Sequence, residues 1–400
     1  MDSQAGKENM SIPTRLDRYP AKMVSRLADE LVERYAKNAN RVLDPFCGSG
    51  AVLVAAMRRG IPVTGIDLNP VASLFSNVKI NSFSRKKADI LMNDWINFAK
   101  TEKVSLPIKW PSKNYWFTPV VIEKYEQLRA ASVRLKLPKT NEGKALLLCF
   151  SLSVRLCSKA DQRSPKPFIS KQAKEIRAGK HYDPYRILPT LLEKLSDLHA
   201  DRPAMNSSKF HLADITRDAS ISSRIGYHSH VITSPPYINA QDYFRNFKLE
   251  LYFLEGILPF NIANLRERFI GTERGNLING ILKESLVQDF KRVPGLYLME
   301  QRDSRLASVV HRYLSDMDSA FDFVKQCLAP KGVFILVCGD NLIGGLQIRT
   351  FKILQEMLEE KGFRLFDSFS DPICDRMLPP KRKGHKGLIK EEVVSAFRLN

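Results

Sequence analysis

Apolar residues along this chain fall into two alternating rhythms, short unbroken runs and stretches repeating every three or four positions. Met23, Leu27 and Leu31, with Val24 and Ala28 beside them, share one face at helical spacing and predict a helix. Arg41 to Leu43 is then a short apolar strand entering Asp-Pro-Phe-Cys-Gly-Ser-Gly, and Val52 to Arg59 reads as the helix after that turn. Val63 to Ile66 predicts a second strand, ending at Asp67. The same rhythm returns beyond residue 207. Phe210 to Ala213 reads as a strand ending at Asp214, and His230 to Thr233 as another running into Ser234-Pro235-Pro236-Tyr237. Downstream, "SDMDSAFDFVKQCLAPKGVFILVCGDN" predicts an amphipathic helix, a Pro-Lys-Gly turn and a strongly apolar strand near Asp340, a residue that could touch a site or cap the next helix. "RTFKILQEMLEEKGFRL" adds a helix and "EEVVSAFRL" a last strand. Alternation of this kind predicts an α/β chain.

Residues 81–207 break the alternation and read as mainly helical. Thr118 and Pro119 make a good helix start, continued on one face by Val121, Tyr125, Leu128 and Leu135. The apolar run from Ala145 to Cys157 predicts a buried helix, too short and too rich in serine to span a bilayer. Leu191, Leu192, Leu195 and Leu198 make a further amphipathic helix. The expected organisation is a polar tail over 1–14, the first part of a sheet domain over 15–80, a helical insertion over 81–207, and the rest of the sheet domain over 208–400.

Composition narrows the partners. The 400 residues are 44% hydrophobic, enough for one large core or two, and the formal charge of +19 exceeds what solubility requires. A polyanion, nucleic acid ahead of membrane, is therefore the expected partner of a cytoplasmic, nucleoid-associated protein, since the N-terminus is polar with no apolar leader. The insertion carries "KADQRSPKPFISKQAKEIRAGKHYDPYR", where Lys and Arg are interleaved with Phe168, His181, Tyr182 and Tyr185. It is either a solvated basic loop or a DNA-facing surface, in which Arg163, Lys166, Lys171 and Arg177 would contact phosphates. "PPKRKGHKGLIK" near the C-terminus is a second basic candidate. The six cysteines are scattered without a CxxC pair or histidines at ligand spacing, so no metal site is expected.

Strand, glycine turn and helix form a ligand loop, because glycine permits close backbone approach and the helix N-terminus offers free N–H groups. A dinucleotide site would want a third glycine where Leu53 stands. Asp44 would repel a pyrophosphate, yet suits the ammonium of an amino-acid moiety such as S-adenosylmethionine carries. Asp67 is placed to accept bonds from ribose hydroxyls. Because ligands bind outside the carboxyl ends of parallel strands, Asp44, Phe46, Gly48, Gly50, Asp67, Asp214 and the Ser-Pro-Pro-Tyr turn are expected on one rim. The bland alternatives are a structural turn for the glycine loop and a surface turn for Ser-Pro-Pro-Tyr.

Taken together and in this order, Asp-Pro-Phe-Cys-Gly-Ser-Gly, Asp67, Asp214 and Ser234-Pro235-Pro236-Tyr237 resemble the S-adenosylmethionine-dependent amino-group DNA methyltransferases over roughly residues 15–80 and 208–400. The resemblance implies a Rossmann-like methyltransferase fold, a mostly parallel sheet of seven strands with the last inserted antiparallel, and double-stranded DNA as partner. It implies that Asp44, Phe46, Gly48, Gly50, Asp67 and Asp214 hold S-adenosyl-L-methionine. The Ser form of the tetrapeptide is most often found in cytosine-N4 enzymes, which puts adenine-N6 methylation second. In the implied chemistry Ser234 Oγ and the Pro235 carbonyl accept hydrogen bonds from the target amino group, Pro236 stiffens the turn, and Tyr237 stacks on a base flipped from the duplex. The cofactor loop precedes the catalytic turn with the insertion between, the less usual order among Ser-Pro-Pro-Tyr enzymes. Cytosine-C5 chemistry needs a thiolate, normally in a Pro-Cys dipeptide that is absent here, and Cys47 reads as a small packed residue. An RNA guanine-N2 methyltransferase and a non-catalytic nucleic-acid-binding protein remain as alternatives, and a cognate restriction endonuclease is a possible partner.

Overall fold

The computed structural model describes residues 19, 23–177, 182–200, 208–218, 220–238, 242–271, 283–373 and 391–400. The polar tail over 1–14, His181 and the basic stretch 379–390 lie outside them.

In chain order the strands are β1 Val42–Asp44, β2 Val63–Asp67, β3 Lys209–Leu212, β4 His228–Thr233, β5 Leu328–Cys338, β6 Asn341–Ile343, β7 Leu346–Ile348, β8 Phe363–Pro372 and β9 Glu391–Leu399. Seven of them form one sheet in the order β3-β2-β1-β4-β5-β9-β8, while β6 and β7 pair as a small ribbon. β1 to β5 run parallel; β9 is antiparallel to both β5 and β8, so the last strand is inserted against the direction of the others. β1 is central and buried throughout, which is why its sequence is an unbroken apolar run up to Asp44. The reversal has a geometric consequence: Val393, near the start of β9, pairs with Cys338 at the end of β5. The first residues of β9 therefore reach the same rim as the carboxyl ends of β1 to β4.

Two local readings are corrected. The stretch beginning Arg349-Thr350 does not stay helical to Leu365: the helix Thr350–Glu360 ends, Gly362 turns at φ 91°, and β8 starts at Phe363. A left-handed glycine stops a helix cheaply, and the edge strand behind it alternates polar outward, a weak signal beside the apolar helix. The Pro-Lys-Gly turn is not a break before β5 but lies within it, with Lys331 at φ 60° and a register shift between His228 and His230 of the neighbouring strand. That is a large bulge, in which β5 advances from Leu328 to Val333 while β4 advances from His228 to His230, without ending the pairing.

The helical layer is packed on the sheet domain. The helix Asn141–Cys157 is buried on nearly every side and lies against the helices Pro70–Ile80 and Pro184–His199. Its Ser153 is satisfied internally: Ser153 Oγ and Tyr125 Oη lie 2.8 Å apart, and Ser153 Oγ donates to the Phe150 carbonyl at 2.7 Å. In the helix Pro119–Arg134 the expected face is buried through Val121, Tyr125 and Leu128. Leu198 departs from its neighbours Leu191, Leu192 and Leu195, being exposed at the helix end. Buried Arg129 donates from Nε to the Phe253 carbonyl at 2.9 Å and also reaches the carbonyls of Leu106 and Glu255. It joins the helical layer to the helix Lys248–Leu254, which follows the Ser-Pro-Pro-Tyr turn. Among the described residues no helix is long and apolar enough to cross a membrane.

Candidate active site

The end of β1 is tied to the end of β4. Thr233 Oγ1 donates to Asp44 Oδ1 at 2.6 Å and the Phe46 amide to the same oxygen at 3.1 Å. Asp44 is only 3% exposed, and burial pushes its carboxyl up to about 7 against those two bonds. Gly48 and Gly50 both sit at positive φ, 50° and 83°, where a side chain would be strained. A Cβ on Gly48 would also come within 3.1 Å of the Tyr19 ring. The turn is fastened to β2: the Gly48 amide donates to Asp67 Oδ2 at 2.8 Å and the Asn69 amide to Asp67 Oδ1 at 2.8 Å. Burial raises the Asp67 carboxyl to about 6. Cys47 is buried beside Ser76 and its thiol is pushed well up by burial, the behaviour of a packed residue and not of a nucleophile.

At the end of β3, Asp214 accepts from the Thr216 amide at 3.0 Å and from Thr216 Oγ1 at 2.6 Å on one oxygen, and from Arg268 Nε at 2.7 Å on the other. Asp44, Phe46, Gly48, Asp67, Asp214, Ser234 and Pro236 line one open cleft. Gly50, Pro235 and Tyr237 are not among its lining residues. Gly50 shapes the turn from behind. Tyr237 packs against the sheet core, with its hydroxyl donating to Glu392 Oε1 at 2.5 Å and lying 3.4 Å from Ser234 Oγ. Asp340, the residue that could have been site or cap, lies near the amides of Thr350 and Phe351 at the start of the following helix, while its Oδ1 has no hydrogen-bond partner and it is not among the cleft-lining residues.

Several lining residues escaped the sequence reading. Tyr19 and Met23 lie in "RYPAKMV", ahead of the first strand, where only Met23 had been assigned, to a helix face. Tyr19 lies tilted on Phe247 with ring centroids 5.0 Å apart, and its hydroxyl accepts from Asn69 Nδ2 at 3.3 Å. Tyr243, Arg268, Phe269 and Ile270 come from beyond the Ser-Pro-Pro-Tyr turn and carry no motif that would single them out.

The donor set discriminates between cofactors. Three carboxylates face the cleft, and among the described lining residues the only cation is Arg268, already paired with Asp214. A pyrophosphate would meet net negative charge. A cationic ligand with ribose hydroxyls fits, with Asp44 opposite positive charge and Asp67 as hydroxyl acceptor. Among the described residues no His, Cys, Asp and Glu cluster could hold a metal ion.

The basic loop of the insertion is pinned to the helical layer. Arg155 donates to the carbonyls of Pro165 at 2.8 Å and Asp161 at 3.3 Å, and reaches that of Ser164. Arg163 is outward but engaged, its Nη2 meeting Asp161 Oδ2 at 2.5 Å and its Nε meeting Oδ1 at 3.0 Å. Lys166 is half-buried and Lys171 exposed; Arg177 closes the helix Lys171–Arg177, its side chain outside the described residues.

A family model described as DNA methylase, of the N6 and N4 type, matches residues 2–73. Over 399 residues, 91% of this chain and 84% of the other, the sequence is 21% identical to the Type II methyltransferase M.MvaI of Kocuria varians. Over 82 residues, 20% of this chain and 16% of the other, it is 32% identical to the Type II methyltransferase M.MjaII of Methanocaldococcus jannaschii. The rRNA methyltransferase AviRa of Streptomyces viridochromogenes aligns with 97% of this chain and 88% of its own at 12% identity, with a TM-score of 0.28 that carries no argument.

Proposed function

We propose, from the premise that the chain is a relative of the amino-group DNA methyltransferases, that it methylates the exocyclic N4 amino group of cytosine in duplex DNA. The observation that carries the reading is the Thr233 to Asp44 bond, which locks the Ser-Pro-Pro-Tyr turn to the glycine loop, so that Ser234 and Pro236 share a cleft with Asp44, Asp67 and Asp214. Bound there, S-adenosylmethionine would supply an electrophilic methyl group on its sulfonium.

The chain's own residues supply the rest. Asp67 would hold the ribose hydroxyls, Asp44 the positive amino-acid end, and Asp214, Phe46 and the Gly48 turn the remaining walls. An exocyclic amine conjugated with its ring is a poor nucleophile, because its lone pair is delocalised. Ser234 Oγ and the Pro235 carbonyl, accepting its two hydrogens, would favour a more tetrahedral nitrogen with its lone pair free for in-line attack. The prolines fix these acceptors, which lowers reorganisation at the transition state. Buried Cys47 supports no thiolate route. The Ser at the head of the turn favours cytosine-N4 over adenine-N6, which stands as the second reading. A cytoplasmic, nucleoid-associated enzyme, with or without a cognate endonuclease, follows from this activity. The helical segment over 81–207 would be the recognition region, since the flanking segments already supply the cofactor loop and the turn.

Nucleoside analysis of DNA from cells expressing the protein tests it. N4-methylcytosine is expected; N6-methyladenine in its place would move the target base, and methylated guanine in RNA would move the substrate. Absence of any labelled methyl transfer by purified, folded protein would leave a nucleic-acid-binding protein without catalysis.

A further inference from the structure

The catalytic turn ends in a tyrosine whose hydroxyl is committed elsewhere. Tyr237 Oη donates to Glu392 Oε1 at 2.5 Å, the length of a strong charge-assisted bond, and the same hydroxyl lies 3.4 Å from Ser234 Oγ. Glu392 is the second residue of β9, and 155 positions separate it from Tyr237. It reaches the turn because β9 is antiparallel: a strand inserted that way begins where its parallel neighbours end, next to Cys338 of β5 and on the rim that carries the cleft. On its other side Glu392 pairs in register with Asp371 of β8, whose carboxylate is held by Arg26 Nη2 at 2.5 Å. Asp371 thus has a cation of its own, although its charge still raises the Glu392 carboxyl, and the Glu392 hydrogen bond goes to the tyrosine.

We infer that Glu392 is a positioning residue for methyl transfer, anchoring the Tyr237 hydroxyl so that the turn presents Ser234 and the tyrosine ring in one fixed geometry. The inference rests on the methyltransferase reading and deepens it. Packing of the Tyr237 ring against the sheet core restricts rotation about the ring's own axis, and because the hydroxyl oxygen lies on that axis, a bond to it fixes where the axis points and with it the tilt of the turn. Glu392 supplies that bond from a separate strand. Buried beside the phenol, its carboxyl is raised above the usual glutamate range by desolvation, while the tyrosine bond opposes that shift and keeps the carboxylate available as acceptor. Glu392 is not among the residues that line the cleft, so its effect is routed through Tyr237.

The test compares single-turnover transfer of a labelled methyl group to unmodified genomic DNA by the full chain and four variants. Tyr237→Phe and Glu392→Ala should each slow transfer by about 10- to 100-fold, the effect of loosening a reacting geometry, while the affinity for S-adenosylmethionine stays within about twofold of wild type. Glu392→Gln keeps an acceptor oxygen at the same place and should recover most of the lost rate. The double variant Tyr237→Phe with Glu392→Ala should be no slower than the slower single variant, because both remove one bond. A further slowing by Glu392→Ala in the Tyr237→Phe background would overturn the inference, as would full rate for Glu392→Ala, or a Glu392→Gln variant as slow as Glu392→Ala. Should Glu392→Ala fail to fold, Tyr237→Phe and Glu392→Gln carry the comparison. If wild-type protein transfers no methyl group, the functional reading fails by itself; the anchor is then judged by urea unfolding of the same set, where non-additive losses support it and additive losses overturn it.

Discussion

Replacing Thr233 with valine removes one hydroxyl at nearly unchanged side-chain shape from the joint between the glycine loop and the Ser-Pro-Pro-Tyr turn. Asp44 has two donors for its inner oxygen, Thr233 Oγ1 at 2.6 Å and the Phe46 amide at 3.1 Å, and burial has already raised its carboxyl to about 7. A hydrogen bond to a charged group contributes about 1.5–3 kcal/mol, so its loss from the ionised form should raise Asp44 by roughly 1–2 pH units. A cationic ligand binds the ionised carboxylate. At pH 7.5 the ionised fraction would fall from about three quarters to between about a quarter and a few per cent, weakening S-adenosylmethionine by about 3- to 25-fold. The sign is definite: the penalty is fullest below both titration points, shrinks as pH rises between them and vanishes in alkali, where both proteins are ionised. Calorimetric affinities for wild type and Thr233→Val should therefore differ most below about pH 7 and converge above about pH 10. The ligand's own titration is common to both and cancels in the ratio. A ratio that is constant from pH 6 to 10, in variants that melt like wild type, would refute the coupling between Thr233 and Asp44.

The same burial affects the ligand-free protein. Carboxyls raised in the folded state, Asp44 to about 7 and Asp67 to about 6, take up protons on folding, so their contribution to stability falls as pH rises from about 4 through those values. Asp44→Asn should remove up to about 4 kcal/mol of that pH dependence in urea unfolding, and an unaltered slope would place the titration elsewhere. Asp67→Ala should weaken S-adenosylmethionine by about 1.5–3 kcal/mol in calorimetry; unchanged affinity in a folded variant counts against the ribose assignment. Ser234→Ala and Tyr237→Ala should reduce single-turnover transfer far more than cofactor binding, with Tyr237→Ala slower than Tyr237→Phe because the ring is lost as well. Lys166→Gln with Lys171→Gln should weaken DNA binding and flatten its salt dependence in fluorescence anisotropy. Arg163→Gln is a poorer probe, since Arg163 also holds Asp161 well below the usual carboxylate range within the loop. An unchanged salt slope for the lysine pair would move the DNA surface to another part of the chain.

Local pattern determined much of this protein. An apolar run followed by Asp-Pro-Phe-Cys-Gly-Ser-Gly can hardly be anything but strand, turn and helix, because glycine at positive φ and the helix behind it are encoded within a few residues. Acids at the ends of β1, β2 and β3 and the Ser-Pro-Pro-Tyr turn after β4 were legible for the same reason, as was the alternation that makes the sheet. What the tertiary structure alone decided depends on which strands are neighbours. Nothing near Glu392 announces that it meets Tyr237; the meeting follows from the reversed direction of β9, settled by pairing across the whole sheet. Thr233 looked like the last residue of a strand until its register beside β1 placed its hydroxyl on Asp44. Tyr19 and Arg268 complete the cleft from opposite sides of the motif pair, brought there by packing against Phe247 and by the charge of Asp214. Each of these contacts joins residues far apart in sequence, and a short window of sequence carries propensity and periodicity but no information about a partner many elements away.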